Sequence, residues 1–277
     1  MTTWNWKLLR AGAFMLDGGA MFGIVPKPLW TRLVTPDDKN RIPMQTNCLL
    51  LTGEGRTVLI ETGIGSKFDA KKRSIYAMED RCILDALDEA GTDPGDITDV
   101  VVTHLHFDHA GGLTHLDNSG SAVPSFPNAT IHTQQTEWDD ALANKSTMHS
   151  TYLRDHLDPV AGRIKAHEGA GEILPGVRVQ PLPGHTWGQQ GVLFEAEGGG
   201  TVVFPGDLMP TIHHASPTCG MAYDVLPYES MVQKERFLRS AAAEQWTIVL
   251  DHEVGNPVVR ALENPDKPGR HFLEPIG

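Results

Sequence analysis

Three imidazoles and a carboxylate fall within six residues of one another, and no other stretch limits the fold of this chain so closely. Residues 100–112 read VVVTHLHFDHAGG, so that His104, His106, Asp108 and His109 follow directly on an apolar run ending at Thr103. Residues two apart in an extended segment point the same way, which puts His104 and His106 on one side. Asp108 and His109 come after the chain leaves the strand and address a neighbouring point. Ala110, Gly111 and Gly112 let the backbone turn tightly around them. Burying such groups at a strand end costs desolvation unless a metal ion or a complete hydrogen-bond network satisfies them. A histidine standing alone is ordinarily a surface or core residue. His115, His132, His149, His156, His167 and His271 are read that way.

Three further polar residues stand just beyond apolar runs. His185 lies in PLPGHTWGQQG, Asp207 ends TVVFPGD, and His252 ends WTIVLDH. Strand ends fix position while the loops beyond them carry function. Imidazole and carboxylate ligands suit zinc, and also iron, manganese or cobalt. Seven ligands exceed one tetrahedral ion. They suit two divalent ions ~3.5–4 Å apart that share a bridging carboxylate and a water.

The rest of the chain reads as a frame for that site. At 277 residues it can bury a core without disulfide staples. Strands are expected over 47–52, 57–61, 100–103, 130–133, 177–181, 191–195, 201–204 and 247–250. Residues 49–52 and 57–60 read as a hairpin around Gly53-Glu54-Gly55-Arg56. Helices are expected over 78–90, 136–143 and 228–243. No linker divides the chain, so residues 1–277 are read as a single α/β domain of layered sheets with outer helices. Residues 14–43 form a loop-rich N-terminal segment in this reading. Its run LDGGAMFGIVPKPLW is either an ordered loop on the body, or a substrate-pocket wall or homodimer contact.

Charge and cysteine usage exclude several function classes. The 23 Lys and Arg against 35 Asp and Glu leave a net charge of −12 and form no basic cluster. Nucleic acid and anionic membrane are therefore not expected partners, whereas a small-molecule substrate is. No run of ~18 apolar residues suggests a membrane span. Cys48, Cys82 and Cys219 are widely spaced without a CxxC, which fits a reducing compartment. MTTWNWKLLRAG has no apolar core of a signal peptide. A cytoplasmic location is expected.

Taken together, THLHFDHAGG at 103–112, PGHTWGQ at 183–189, PGD at 205–207 and DH at 251–252 resemble the metallo-β-lactamase-fold hydrolase superfamily. The resemblance spans residues 44 to 255 and implies a four-layered αββα sandwich of two mixed β-sheets with outer helices. It implies that His104, His106 and His185 hold one metal, that Asp108, His109 and His252 hold the other, and that Asp207 bridges. Asp207 itself stands where β-lactam hydrolases usually lack an acid. His106 stands where oxygen-reducing diiron members carry one. There is no room for the inserted second domain of RNA-processing members. Only 25 residues follow His252, too few for the helical extension of glyoxalase II-like members. The chain thus looks like the group of quorum-quenching lactonases and related ester and organophosphate hydrolases. Many of those lactonases place a tyrosine three residues after the bridging acid, where this chain has Pro210. Tyr223, in MAYD, is the candidate to take that catalytic place from the following loop, with packing as its other reading. His213 and His214, in the same loop, line the pocket or lie on the surface. Glu61, in ETG, replaces the family's usual aspartate and is read as a turn residue or a neighbour of the ligands. Asp251 and Thr103 adjoin ligands and are expected to orient their imidazoles.

The chemistry implied is metal-assisted hydrolysis. Two ions lower the pKa of a bridging water from 15.7 to ~7, and the hydroxide attacks a lactone or ester carbonyl. Asp108 or Asp207 orients the nucleophile and carries its proton to the leaving oxygen, and no Ser or Cys nucleophile is required. Small phosphodiester or phosphotriester hydrolysis on the same site is the alternative. A non-catalytic metal-containing binding module is the reading from another class. Its mark would be a missing ligand, and all seven positions are filled.

Overall fold

In the computed structural model, residues 2–146, 148 and 150–276 are described, and His149 lies outside them. Two 13-residue strands, β1 (Asn5–Asp17) and β2 (Arg41–Gly53), pair antiparallel and open the first sheet. It continues with β3 (Arg56–Ile60), β4 (Asp99–Val101), β7 (Thr130–Gln134) and β8 (Ile164–His167), in the order β1-β2-β3-β4-β7-β8. Its first two pairings are antiparallel and its last three parallel. A separate ribbon pairs β5 (Thr114–Leu116) with β6 (Ala122–Pro124). The second sheet holds β9 (Gly171–Leu174), β10 (Val177–Pro181), β11 (Gln190–Glu195), β12 (Thr201–Phe204), β13 (Thr247–Val249), β14 (Val258–Glu263) and β15 (His271–Pro275). They lie side by side in chain order, and only β12 and β13 run parallel.

Helices α1 (Gly18–Phe22), α2 (Lys27–Trp30), α3 (Ala70–Ile75), α4 (Ile83–Ala90), α5 (Phe107–Ala110), α6 (Gln135–Leu142), α7 (Arg154–Leu157) and α8 (Pro227–Ala243) surround the sheets. The layering follows from alternation within single strands. Cys48 and Leu50 of β2 and Leu59 of β3 meet Ile83, Ala86 and Leu87 of α4. The residues between them, Leu49, Leu51, Val58 and Ile60, face Val179, Val192, Phe194 and Phe204 of the second sheet. The far face of that sheet packs Val203, Ile248 and Val259 on Phe237, Leu238 and Ala241 of α8. The result is the expected αββα sandwich.

Several boundaries differ from those read in the sequence. β1 was not expected, because its alternation breaks. Leu9 and Ala11 are buried before Gly12, and Phe14 and Leu16, of the opposite parity, after it. The register shifts between Arg10 and Ala13, where Gly12 has φ 132°. β2 begins at Arg41 rather than 47, and the helix expected over 78–90 begins only at Ile83. There the Asp85 carboxylate accepts from the Cys82 amide at 2.8 Å and caps it. The segment 14–43 is less of a loop than expected. Strand occupies both its ends, with α1 and α2 between them. Phe14, Leu16, Met21, Phe22, Trp30, Ile42 and Met44 bury it in one cluster, with Phe22 and Trp30 stacked at 5.5 Å. Among the described residues no helix is long and apolar enough to cross a membrane.

Candidate metal centre

The seven residues singled out in the sequence are all buried, and the fold brings them together. β4 ends at Val101, and the Thr103 amide is fixed by the Glu61 carboxylate at 2.7 Å. His104 and His106 follow, and the His106 carbonyl accepts from the His109 and Ala110 amides to start α5. That single turn carries Asp108 and His109 to the far side. His185 follows β10, Asp207 follows β12, and His252 follows β13. Because β12 and β13 are parallel neighbours, Asp207 and His252 emerge at one edge.

Asp207 lies between two groups of imidazoles. Its Oδ2 is 3.0 Å from His185 Nε2, 3.7 Å from His109 Nε2 and 3.9 Å from His104 Nε2. Its Oδ1 is 3.2 Å from His252 Nε2. Ligand atoms of His104, His106 and His185 lie within 4.8 Å of one another, as do those of His109, Asp207, Asp251 and His252. Asp251 thus enters a group for which the sequence nominated Asp108. Asp108 borders that group, 3.7 Å from His252 Nε2 and 3.9 Å from His109 Nε2.

The donor set fits divalent metal. His104 Nε2, His109 Nε2, His252 Nε2 and Asp207 Oδ1 are buried without a hydrogen-bond partner. Such atoms are costly unless a cation engages them. The outward ring nitrogens of His104, His109, His185 and His252 are engaged, which turns their other nitrogens toward the centre, where His185 Nε2 meets His106 Nδ1 at 3.0 Å. His104 Nδ1 meets Thr103 Oγ1 at 3.0 Å, and His185 Nδ1 meets Asp224 Oδ1 at 3.0 Å. His252 Nδ1 meets the Gln45 carbonyl at 2.8 Å, and His109 Nδ1 lies 3.3 Å from Glu61 Oε2. Glu61 reaches both Thr103 and His109 from a left-handed backbone with φ 65°. Thr103 and Glu61 were legible as neighbours of ligands. Asp224 was missed although it adjoins Tyr223 in MAYD, and a backbone carbonyl such as that of Gln45 leaves no mark in residue type.

Charge is distributed unevenly over the centre. Burial, then the charges of neighbouring imidazoles, pushes His104 and His106 well below the usual histidine range. Burial also opposes charge on His109, but Glu61, Asp108 and Asp207 outweigh it and raise that ring. Burial opposes ionisation of Asp207 too, yet His185, His252 and His109 hold its carboxylate well below the usual range. One carboxylate thus stays ionised among several imidazoles.

A cavity of about 60 Å³ opens over Asp108, His106, His185, Asp207 and His252. Leu16, Met21, Phe107, Met148 and Met221 make its walls apolar, and Ser146 and Thr151 add hydroxyls. No Lys or Arg is among its described lining residues. Tyr223 lines it, and burial, reinforced by Asp108, keeps its phenol protonated. Tyr76, which the sequence reading passed over, lines it as well, packed on Phe107 at 5.4 Å. His214 is turned away, bonded to Thr211 Oγ1 at 2.8 Å and the Met21 carbonyl at 2.9 Å. His213 lines a separate cavity with Phe22, Ile42 and His252. His132 is a satisfied core histidine, 2.9 Å from both Asp99 and His167.

Comparison with known proteins bears on family and fold. The profile of the Metallo-beta-lactamase superfamily matches residues 41–252. An N-acyl homoserine lactonase of Bacillus thuringiensis is 30% identical over 215 residues, 73% of this chain and 75% of that protein. A probable metal-dependent hydrolase from Staphylococcus aureus superposes with a TM-score of 0.85 at 32% identity, over 93% of this chain and 92% of that one. An N-acyl homoserine lactone hydrolase, with N-hexanoyl-L-homoserine bound at its catalytic metal centre, superposes with a TM-score of 0.68 at 25% identity. That match covers 92% of this chain and 95% of the other.

Proposed function

The chain belongs to the metallo-beta-lactamase superfamily and is a metal-dependent hydrolase, and we propose that it opens lactones or carboxylic esters at a dinuclear centre. His104, His106 and His185 hold one ion in this reading. Asp108, His109 and His252 hold the other, with Asp251 beside it, and Asp207 spans both. Zinc is the first choice of metal for this donor set, with manganese, iron or cobalt as alternatives. Two ions bound there would bring a shared water's pKa from 15.7 to about 7 and polarise a carbonyl oxygen. Asp108, on the cavity floor, takes the proton of the attacking water and returns it to the leaving alkoxide. The Tyr223 hydroxyl donates a hydrogen bond to the substrate carbonyl.

One observation carries the choice of substrate. Asp207 and His252, two residues with unpartnered buried ligand atoms, line a cavity with apolar walls and no Lys or Arg among its described lining residues. An anionic phosphodiester would meet no side-chain cation there, whereas an uncharged lactone with an apolar acyl chain would meet methionines and aromatic rings. The lactonase activity named for the Bacillus thuringiensis relative supports the same class. A phosphotriester is also uncharged, and it stands as the second reading.

The test is a pH-stat assay of the zinc- or manganese-loaded protein on acyl lactones of graded chain length, with Asp207→Ala as control. Proton release by wild type alone, rising with acyl length, is the expected result. No release from a protein carrying two ions per chain would transfer the reading to phosphotriesters.

A further inference from the structure

We propose that Glu137 is the positioning residue for His104, His106 and His185, one buried carboxylate that ties three separate segments together behind them. The inference rests on the reading that these three histidines hold a metal ion. Glu137 sits in the first turn of α6 and is fully buried. Its Oε1 accepts from the Leu105 amide at 2.9 Å, the residue between His104 and His106. The same oxygen accepts from the Tyr152 hydroxyl at 3.0 Å, and the Tyr152 ring packs on His106 at 5.2 Å between centroids. Oε2 accepts from Thr186 Oγ1 at 2.6 Å, next to His185. Residues 105, 152 and 186 come from three separate stretches of chain, and they meet on this one side chain.

The chemistry of the group matches that task. Among the described residues, no ion pair compensates the Glu137 charge, so its burial carries a desolvation cost. Three hydrogen bonds to one carboxylate offset that cost, and each is stronger for being charge-assisted. An apolar side chain would fill the space and leave the Leu105 amide and two hydroxyls unsatisfied. The packing leaves little slack. The 186–189 turn approaches α6 so closely that a Cβ on Gly188 would stand 2.2 Å from the Glu137 nitrogen. Ligands must converge within fractions of an ångström to share one ion, and outer partners that fix them commonly set metal affinity.

Zinc affinity by chelator competition and the absorption of the cobalt(II)-loaded protein test the idea, with melting of the metal-stripped chain as the control for folding. Wild type is expected to take up two ions. Glu137→Ala is expected to lose ~10–100-fold in affinity for one ion, to keep the other, and to change the cobalt spectrum. Glu137→Gln keeps an oxygen for Leu105 and Tyr152, and its amide can donate to Thr186. It is expected to bind both ions much as wild type does. A folded Glu137→Ala protein with wild-type affinity and spectrum would overturn the proposal. So would a Glu137→Gln protein as impaired as the alanine variant, since charge rather than positioning would then be at work. Should the alanine variant not fold, Tyr152→Phe and Thr186→Val each remove one donor. Weakening of the same ion by both supports the proposal, and unchanged affinity in both overturns it. Failure of wild type itself to bind metal would overturn the metal reading, and it shows before any variant is made.

Discussion

At the residue scale, Asp207 is the position where both halves of the centre meet. It is the carboxylate within 4 Å of His104, His109, His185 and His252 alike. Asp207→Ala is therefore expected to lower the metal content from two ions per chain to at most one and hydrolysis by more than ~100-fold. Elemental analysis beside the pH-stat assay checks both, and full metal content with full turnover would sink the shared-ligand role. Tyr223 and Tyr76 offer a paired experiment, since both line the cavity. Tyr223→Phe is expected to lower kcat by about 100-fold with little change in KM, as loss of a donor to the developing oxyanion does. Tyr76→Phe is expected to leave kcat near wild type. Equal kcat in all three proteins would assign Tyr223 to packing. The seven candidate ligand positions were legible because four cluster within six residues and three stand beyond apolar runs. Asp224 and Tyr76 were not, because nothing in their local pattern tells that a distant loop will fold against His185 or Phe107.

At the element scale, the turn that carries Asp108 and His109 owes its shape to what lies beneath it. A Cβ on Gly111 would stand 2.0 Å from the Ile64 carbonyl oxygen, and one on Gly112 2.2 Å from that of Thr62. Both obstacles are backbone atoms, and Thr62 is itself bonded to the His109 carbonyl at 2.7 Å. Relief requires the 61–65 loop to move, and with it Glu61 beneath His109. Gly112→Ala is expected to cost ~1–3 kcal/mol of stability or more, together with metal affinity. Gly162→Ala, with open space around its Cβ, is expected to stay within ~0.5 kcal/mol of wild type. Denaturant unfolding of the two variants decides the matter, and equal midpoints would refute the close-approach account. The same turn was legible as a tight one from its three small residues. β1 was not legible, since the bulge at Gly12 swaps which residues face inward and erases the period of two over 5–17.

At the scale of the whole molecule, the two-sheet core could be read where strands are buried on both faces. NCLLLT in β2 is such a run, with successive residues entering opposite layers. β14 and β15 pair at the outer edge of the second sheet, where alternate residues are exposed and the apolar signal is thin. Three histidines are also buried outside the candidate metal ligands, His132, His156 and His214, and the last two bear on behaviour in acid. Burial pushes His214 down to about 3 and His156 down to about 2, with Lys234 adding to the first and Lys67 to the second. Both rings are therefore neutral in the folded chain, whereas they titrate near 6.5 once unfolded. Unfolding between those values takes up protons. The stability they contribute is complete above pH ~6.5 and falls as pH drops toward the folded values, by at most about 1.4 kcal/mol per pH unit for each ring. His156 isolates the effect, because neither of its ring nitrogens has a hydrogen-bond partner among the described residues, its nearest carboxylate oxygen, Asp155 Oδ1, is 3.8 Å from Nε2, and it packs on Phe68 at 6.2 Å. His156→Leu is expected to be no less stable than wild type at pH 7.5, since it removes two unsatisfied buried nitrogens. Between pH 6 and 5 it is expected to lose less stability than wild type, while any acid release of metal acts on both proteins and cancels in the difference. Urea unfolding at pH 7.5, 6 and 5 reads that difference directly, and parallel losses in the two proteins would mean that His156 is already protonated, or solvated, in the fold.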